Sequence, residues 1–364
     1  MKKTTIALIC LLCMGTSCKK MSKETANPDT ANVEMPAKAE SVTPQQLAEK
    51  WTERAIAVKG GGETPDVVTL LTAFNKVWNT QAVANLLAEA ADTAFTESIN
   101  LDMGSAITVD RNNGFAELNA GDSDDDCMGA GVWKCDNGHL LFALNVVTTQ
   151  PDRRDLAAHQ ALCCYDYDPK TEVMKPVDNK LTQFKTQLPN TTLRFKMPEA
   201  AGVVRIGEVD NKGEESILWH FLEWSGKDFV EYACYTDTEL EEKVMGVWVN
   251  FDKEKPALTF NISRSDEEGM TVSDCGIYGS TEYDSWINVW EGLVTVEENT
   301  EEENTEENMT ESHNYSPNPN LKTSFVLTRD GKLNGNFFMR QNGGKEYSGH
   351  ITLQHGDPAD ALKP

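Results

Sequence analysis

The pattern of apolar and polar positions changes character near residue 95. Before it, apolar residues recur every three or four positions. Leu47, Trp51, Ala55 and Val58 follow that spacing after Pro44, with Ser41 or Thr43 placed to cap. The spacing predicts a helix over 44–60, ended by Gly60, Gly61 and Gly62. Val68, Leu71, Phe74, Val77 and Trp78 form a second stripe that begins at Thr64–Asp66. Val83, Leu86 and Leu87 mark a third, over 81–91.

Beyond residue 95 the period drops to two, and β-branched and aromatic residues dominate. Strands are predicted over 106–110, 115–119, 131–134, 139–147, 161–167, 173–176, 192–196, 202–208, 217–224 and 229–235. Asn113–Gly114 and Asn137–Gly138 are hairpin turns. Ile217–Trp224 is apolar on both faces, as a strand covered twice would be. Residues 236–242 read as a linker or a boundary. Strands then resume over 244–251, 257–263, 270–278, 286–296, 323–328, 333–340 and 347–354, seven in all. Gly246 and Trp248 loosely resemble the Gly-x-Trp of lipocalin-type barrels.

The fold class is therefore mainly β. A short helical N-terminal segment (44–95) precedes two antiparallel sandwich or barrel-like modules, at 96–236 and 237–364. Glu297–Glu311 holds a tandem Glu-Asn-Thr-Glu-Glu repeat. Like charges at that density resist packing, so an acidic disordered loop is expected over 297–316.

The first 43 residues follow neither period. Lys2 and Lys3 precede an apolar run from Ile6 to Met14, then Gly15, Thr16, Ser17 and Cys18. A basic start, a short apolar run and small residues make a signal peptide over 1–17, and the run is too short to span a bilayer. Small residues leading into Cys18 resemble the bacterial lipoprotein signal, in which that cysteine becomes the lipidated first residue. Gly15 stands where leucine is usual. The expected membrane contact is a lipid anchor on Cys18. Residues 18–43 then form a disordered tether, with a reach of about 25–30 Å. Lys19, Lys20 and Lys23 follow the anchor, whereas surface-exported lipoproteins of Bacteroidetes tend to be acidic there. By that resemblance the periplasmic face is expected, with the cell surface as the alternative address for a lipid-anchored envelope protein.

Charge narrows the partners. The chain of 364 residues carries a net charge of −25, and loss of the signal removes two lysines and no acid. Nucleic acid is excluded, because phosphate neutralisation needs clustered Lys and Arg.

After processing, Cys127, Cys135, Cys163, Cys164, Cys234 and Cys275 remain besides the anchor. Cys163 and Cys164 are adjacent on a strand and should face opposite ways. Cys127 and Cys135 flank a short segment and are placed to meet across a hairpin. The cysteines show no Cys-x-x-Cys, the usual mark of a metal site.

Gly131–Val146, Cys163–Glu172 and Leu222–Phe229 are distinctive stretches. Together with the lipidation signal and Phe325–Phe338 they resemble exported lipoproteins of Bacteroidales. The resemblance covers about residues 60–235, and the rest more loosely. It implies an envelope address and a β-rich body, and it carries no activity or site residues.

Motif chemistry is sparse. The histidines are scattered, and no His-Glu-x-x-His, Gly-x-Ser-x-Gly, P-loop or dinucleotide fingerprint is present. No cofactor is expected and no catalytic residue is assigned. Asp122, Asp124 and Asp126 share one acidic turn and are a calcium candidate, although the EF-hand spacing fails. Trp286, Asn288 and Trp290 alternate onto one strand face and are candidates for stacking on sugar rings. The reading is a lipid-anchored cell-envelope protein that binds a glycan or protein partner without catalysis. Its rivals are an envelope glycan or peptidoglycan hydrolase using two carboxylates, and a purely structural protein.

Overall fold

Tertiary packing cuts the first predicted helix short. In the computed structural model α1 spans Pro44–Trp51, with a Thr43–Gln46 capping box at its start. The Trp51 carbonyl accepts a hydrogen bond from the Tyr165 hydroxyl. Ile56 and Val58 then alternate inward rather than following a helical face. They belong to β1 (Ile56–Ala57) and the residue just after it. The two periods coincide at Val58, which is why the helix was expected to reach 60.

The structure describes residues 43–100, 105–119, 127–148, 160–198, 202–210, 216–252, 257–265, 269–277, 283–290, 292–298, 321–340 and 346–361. Asp66 caps α2 (Val67–Trp78) by accepting from the Thr69 amide, and α3 (Gln81–Glu89) follows. The first meander comprises β2 (Phe95–Asn100), β3 (Ser105–Asp110), β4 (Phe115–Asn119), β5 (Cys127–Lys134), β6 (Leu140–Val147), β7 (Gln160–Asp168) and β8 (Val173–Pro176). With β1 paired to β8 it makes an eight-stranded sheet, order β1-β8-β7-β6-β5-β4-β3-β2. The segment containing the helices thus contributes a strand to this sheet.

A second meander, β9 (Thr191–Lys196), β10 (Val204–Asp210), β11 (Ser216–Trp224) and β12 (Phe229–Tyr235), makes a four-stranded sheet. Residues 236–242 are not a linker. Thr236 and Glu239 form a capping box that starts α4 (Asp237–Val244), and Leu240 and Val244 are buried. A polar surface hides two apolar anchors four residues apart.

The C-terminal strands are β13 (Gly246–Val249), β14 (Leu258–Ser265), β15 (Gly269–Ile277), β16 (Tyr283–Trp290), β17 (Leu293–Glu298), β18 (Leu321–Leu327), β19 (Leu333–Arg340) and β20 (Glu346–His355), followed by α5 (Pro358–Ala361). They close into an up-and-down barrel through β13 and β20. There are eight strands rather than seven, because the run 286–296 is a hairpin. Trp290 pairs with Leu293, and Gly292 takes a positive φ of 74° between them. Along the sequence only Glu291 and Gly292 separate the two apolar stretches, too short a break to divide the run by pattern alone.

The layers stack in chain order. Trp51, Leu71 and Phe74 of the helices pack on Phe142, Cys163 and Tyr165 of the large sheet. Its other face, with Trp133, Leu141 and Cys164, meets Ile206, Leu222 and Phe229 of the four-stranded sheet. The opposite side of that sheet, with Trp219 and Phe221, joins the core that runs into the barrel through Trp248, Phe260 and Phe325. β11 is therefore covered on both faces, as its composition predicts. Cys163 and Cys164 point into different layers. Cys127 and Cys135 do not meet, since β5 runs extended between them at ~3.3 Å per residue, and no disulfide joins them.

Candidate functional site

The densest buried polar cluster lies on the four-stranded sheet, on the face turned towards the large sheet. His220 of β11 stands opposite Ile206 of β10 and Cys234 of β12. In regular antiparallel pairing, directly opposed residues share a face. Glu208, two positions beyond Ile206, shares it too. His220 and Glu208 have no exposed side-chain surface, whereas Glu231 is 23% exposed.

A β-bulge completes the cluster. Pairing shifts between Phe221 and Leu222, so that Phe221 opposes Ala233 and Leu222 opposes Glu231. Tyr232 is the extra residue. Glu231 and Cys234 are three positions apart and would face opposite ways on a regular strand. The bulge turns both towards His220. Nδ1 of His220 lies 2.8 Å from Glu231 Oε1, and Nε2 lies 3.0 Å from Glu208 Oε1. The donor atoms of His220, Glu231 and Cys234 all fall within 4.8 Å of one another. The Phe184 ring closes the site, 5.0 Å from the imidazole.

Glu208 is held by further donors. The Gln187 amide (2.6 Å), the Leu188 amide (2.9 Å) and the Thr191 hydroxyl (2.8 Å) all donate to its carboxylate. Burial pushes this carboxyl up, but the amides, the hydroxyl and His220 outweigh it and hold it below the usual glutamate value. Cys234 goes the other way. Burial, then Glu231, Glu208 and Glu239, push its thiol up to about 11. A thiolate nucleophile needs an electropositive setting, so this thiol is inert as it stands. His220 can bond both carboxylates at once only by donating from both nitrogens.

Two further sites are simpler. His139 Nδ1 lies 2.8 Å from Asp166 Oδ2, and Nε2 lies 3.7 Å from Asp168 Oδ1, all three partly exposed. The nearby Cys135 thiol is pushed up to about 11 by burial and Asp166. At the barrel, a cavity of about 240 Å³ is lined by Asn250, Phe251, Asp252, Lys332, His350 and Gln354, among others. Among the described residues its lining holds one carboxylate, Asp252, and it is smaller than the ~300–1,000 Å³ usual for small-molecule sites.

The candidates from sequence stand elsewhere. Trp286, Asn288 and Trp290 occupy alternate positions of β16, opposite Glu297, Thr295 and Leu293 of β17. Their side chains lie outside the described residues, as do Cys18 and the turn with Asp122, Asp124 and Asp126. The cluster around His220 was missed because its members sit on three strands, joined by a bulge and not by a spacing motif. The one local signal is Glu231 and Cys234 close together on a strand whose neighbour carries a histidine.

No family model matches the chain, and no curated protein matches it. Among solved structures, a Trp-176-Ala mutant of the vaccine antigen Transferrin Binding Protein B from Haemophilus parasuis Hp5 aligns at 10% identity and a TM-score of 0.13. That alignment covers 73% of this chain and 66%, just under two thirds, of the other.

Proposed function

We propose that the chain is a lipid-anchored protein of the bacterial cell envelope that works by binding a protein or glycan partner rather than by turnover. The observation that carries this reading is the N-terminal sequence. A short apolar run and small residues lead into Cys18, and a polar stretch then reaches the first helix at Pro44. Among the described residues no helix is long and apolar enough to cross a membrane. The similarity of Gly131–Val146 and Cys163–Glu172 to exported lipoproteins of Bacteroidales supports the same address.

The test is metabolic labelling with an alkyne fatty acid in a bacterial host. The natural chain takes up label and partitions into detergent, and Cys18→Ala does neither. An unlabelled natural chain overturns the anchor. Turnover of any glycan, peptide or ester by the purified protein, abolished by one point substitution, overturns the binding role.

A further inference from the structure

We propose that His220, Glu231 and Cys234 form a binding site for a divalent metal ion of the zinc class, with Glu208 orienting the histidine from behind. The inference goes beyond the envelope reading and does not depend on it.

The donor set points to this class of ion. Imidazole nitrogen, thiolate sulfur and carboxylate oxygen together suit zinc and its borderline neighbours, not the oxygen-only sites of calcium or magnesium. Three protein ligands leave a fourth tetrahedral position for water or a partner group. Glu231 and Cys234 reach partly exposed surface, which provides an entry path and that open position. With metal–ligand bonds of ~2.0–2.3 Å, tetrahedral ligand atoms stand roughly 3.3–3.7 Å apart. The three donors already lie within 4.8 Å of one another, so small side-chain movements close the site.

The surroundings match what a metal histidine requires. A ligating imidazole usually donates its other N–H to a carboxylate, which fixes tautomer and ring plane. Here Nδ1 faces Glu231 while Nε2 faces Glu208, and the Cys234 thiol lies within 4.8 Å of donor atoms of both His220 and Glu231. Glu208 is itself immobilised by the Gln187 and Leu188 amides and the Thr191 hydroxyl. A carboxylate so fully satisfied is a poor ligand and a good support. The bulge at Tyr232 adds a separate reason, because only that irregularity brings both edge-strand donors to the histidine's side.

Binding balances simply. The cation forms bonds to Nδ1, to Cys234 Sγ and to a Glu231 oxygen. Nδ1 and Sγ each release a proton to solvent, and Nε2 keeps its proton on Glu208. Two protons leave as one dication enters, so the charge of the buried site is unchanged.

The test uses the full chain in detergent, stripped with chelator and titrated with Co²⁺. One equivalent is expected to give tetrahedral visible bands and thiolate-to-cobalt charge-transfer absorption, both displaced by Zn²⁺. Cys234→Ser should abolish the charge-transfer band, and Cys135→Ser should leave it intact. Glu208→Gln should weaken binding about 10- to 100-fold while the band persists. Glu231→Gln, at a partly exposed position, serves as the second ligand variant should Cys234→Ser fail to fold, and should also weaken binding. Absence of the band in the natural chain, its survival in Cys234→Ser, or its loss in Cys135→Ser overturns the proposal.

Discussion

The Tyr232 hydroxyl donates a hydrogen bond to the Leu327 carbonyl at 2.9 Å, joining the bulge of the four-stranded sheet to the last turn of β18 in the barrel. The same ring lies 6.1 Å from Phe221, and the Arg329 guanidinium sits over it at 5.8 Å. One side chain therefore couples the strand irregularity behind the histidine cluster to the barrel wall. Tyr232→Phe keeps the ring contacts and loses only the hydroxyl. It should cost ~0.5–1.5 kcal/mol, read as a lower urea midpoint at unchanged slope. Tyr232→Ala should cost several times as much. Equal costs for the two would show that the hydroxyl, not the ring, dominates.

Gly292 predicts a larger effect than its position in an exposed-looking turn suggests. Its φ is 74°, and a Cβ there would stand 3.2 Å from Phe221 Cζ and 3.4 Å from Arg205 Cδ. Gly292→Ala combines left-handed strain of ~1–2 kcal/mol with crowding between barrel and sheet. Thermal unfolding of the variant against Gly331→Ala isolates the crowding. Gly331 shares a φ of 74° but has open space around its Cβ. A Gly292 variant no less stable than the Gly331 one would refute the close packing.

Asp66 sets the behaviour in acid. It caps α2 through the Thr69 amide and pairs with Arg111 at 2.5 Å. Burial pushes its carboxyl up, but Thr69 and Arg111 outweigh that and hold it below its ordinary value of 3.8. A lowered carboxyl stabilises the fold above that value, and the contribution disappears as the pH falls through the lower folded-state value. Asp66→Asn keeps a capping oxygen and loses the charge. Its melting temperature should fall below that of the natural chain at pH 6, and the gap should narrow below pH 4. A gap that is constant with pH would remove the ion pair from the account.

The thiols predict behaviour in alkali. Burial pushes Cys164 up to about 12, and Cys163 moves well upward for the same first reason. A raised thiol supports the fold fully below its ordinary value of 9.0 and loses that support as the pH climbs towards the folded-state value. The natural chain should therefore lose stability more steeply above pH 9 than Cys164→Ala does. With an aromatic disulfide reagent, the partly exposed Cys127 should react in the folded chain, whereas Cys135 and Cys234, with thiols pushed up to about 11, should react far more slowly near neutral pH. Cys163 and Cys164 should react only on unfolding, since both are fully buried. Fast labelling of either would contradict the layered core.

Alternation made much of the sheet visible beforehand. In β19 every second residue, from Leu333 to Met339, is buried, and the strand was bounded correctly from that pattern. The α2 stripe was likewise readable, because Phe74 and Leu71 recur on one helical face. The failures share a cause. Helix α4, the hairpin at Gly292 and the pairing of β1 with β8 each depend on one or two residues whose role is set by a distant partner. The histidine cluster is the extreme case. No spacing along the chain encodes it, because Glu231 and Cys234 become neighbours only through a pairing shift against β11.

Barrel closure has a consequence for how the chain folds. Val247 and His355 are 108 positions apart, yet they meet at the seam, where the Trp248 and His355 rings lie 3.8 Å apart. Each other strand of the barrel pairs with its neighbour in sequence, so local hairpins can form early. The seam forms only when the last strand arrives. A chain lacking β20 would leave β13 and β19 with unpaired edges together, two adhesive margins from a single loss. The final strand thus acts as the lock that removes both margins of the barrel at once.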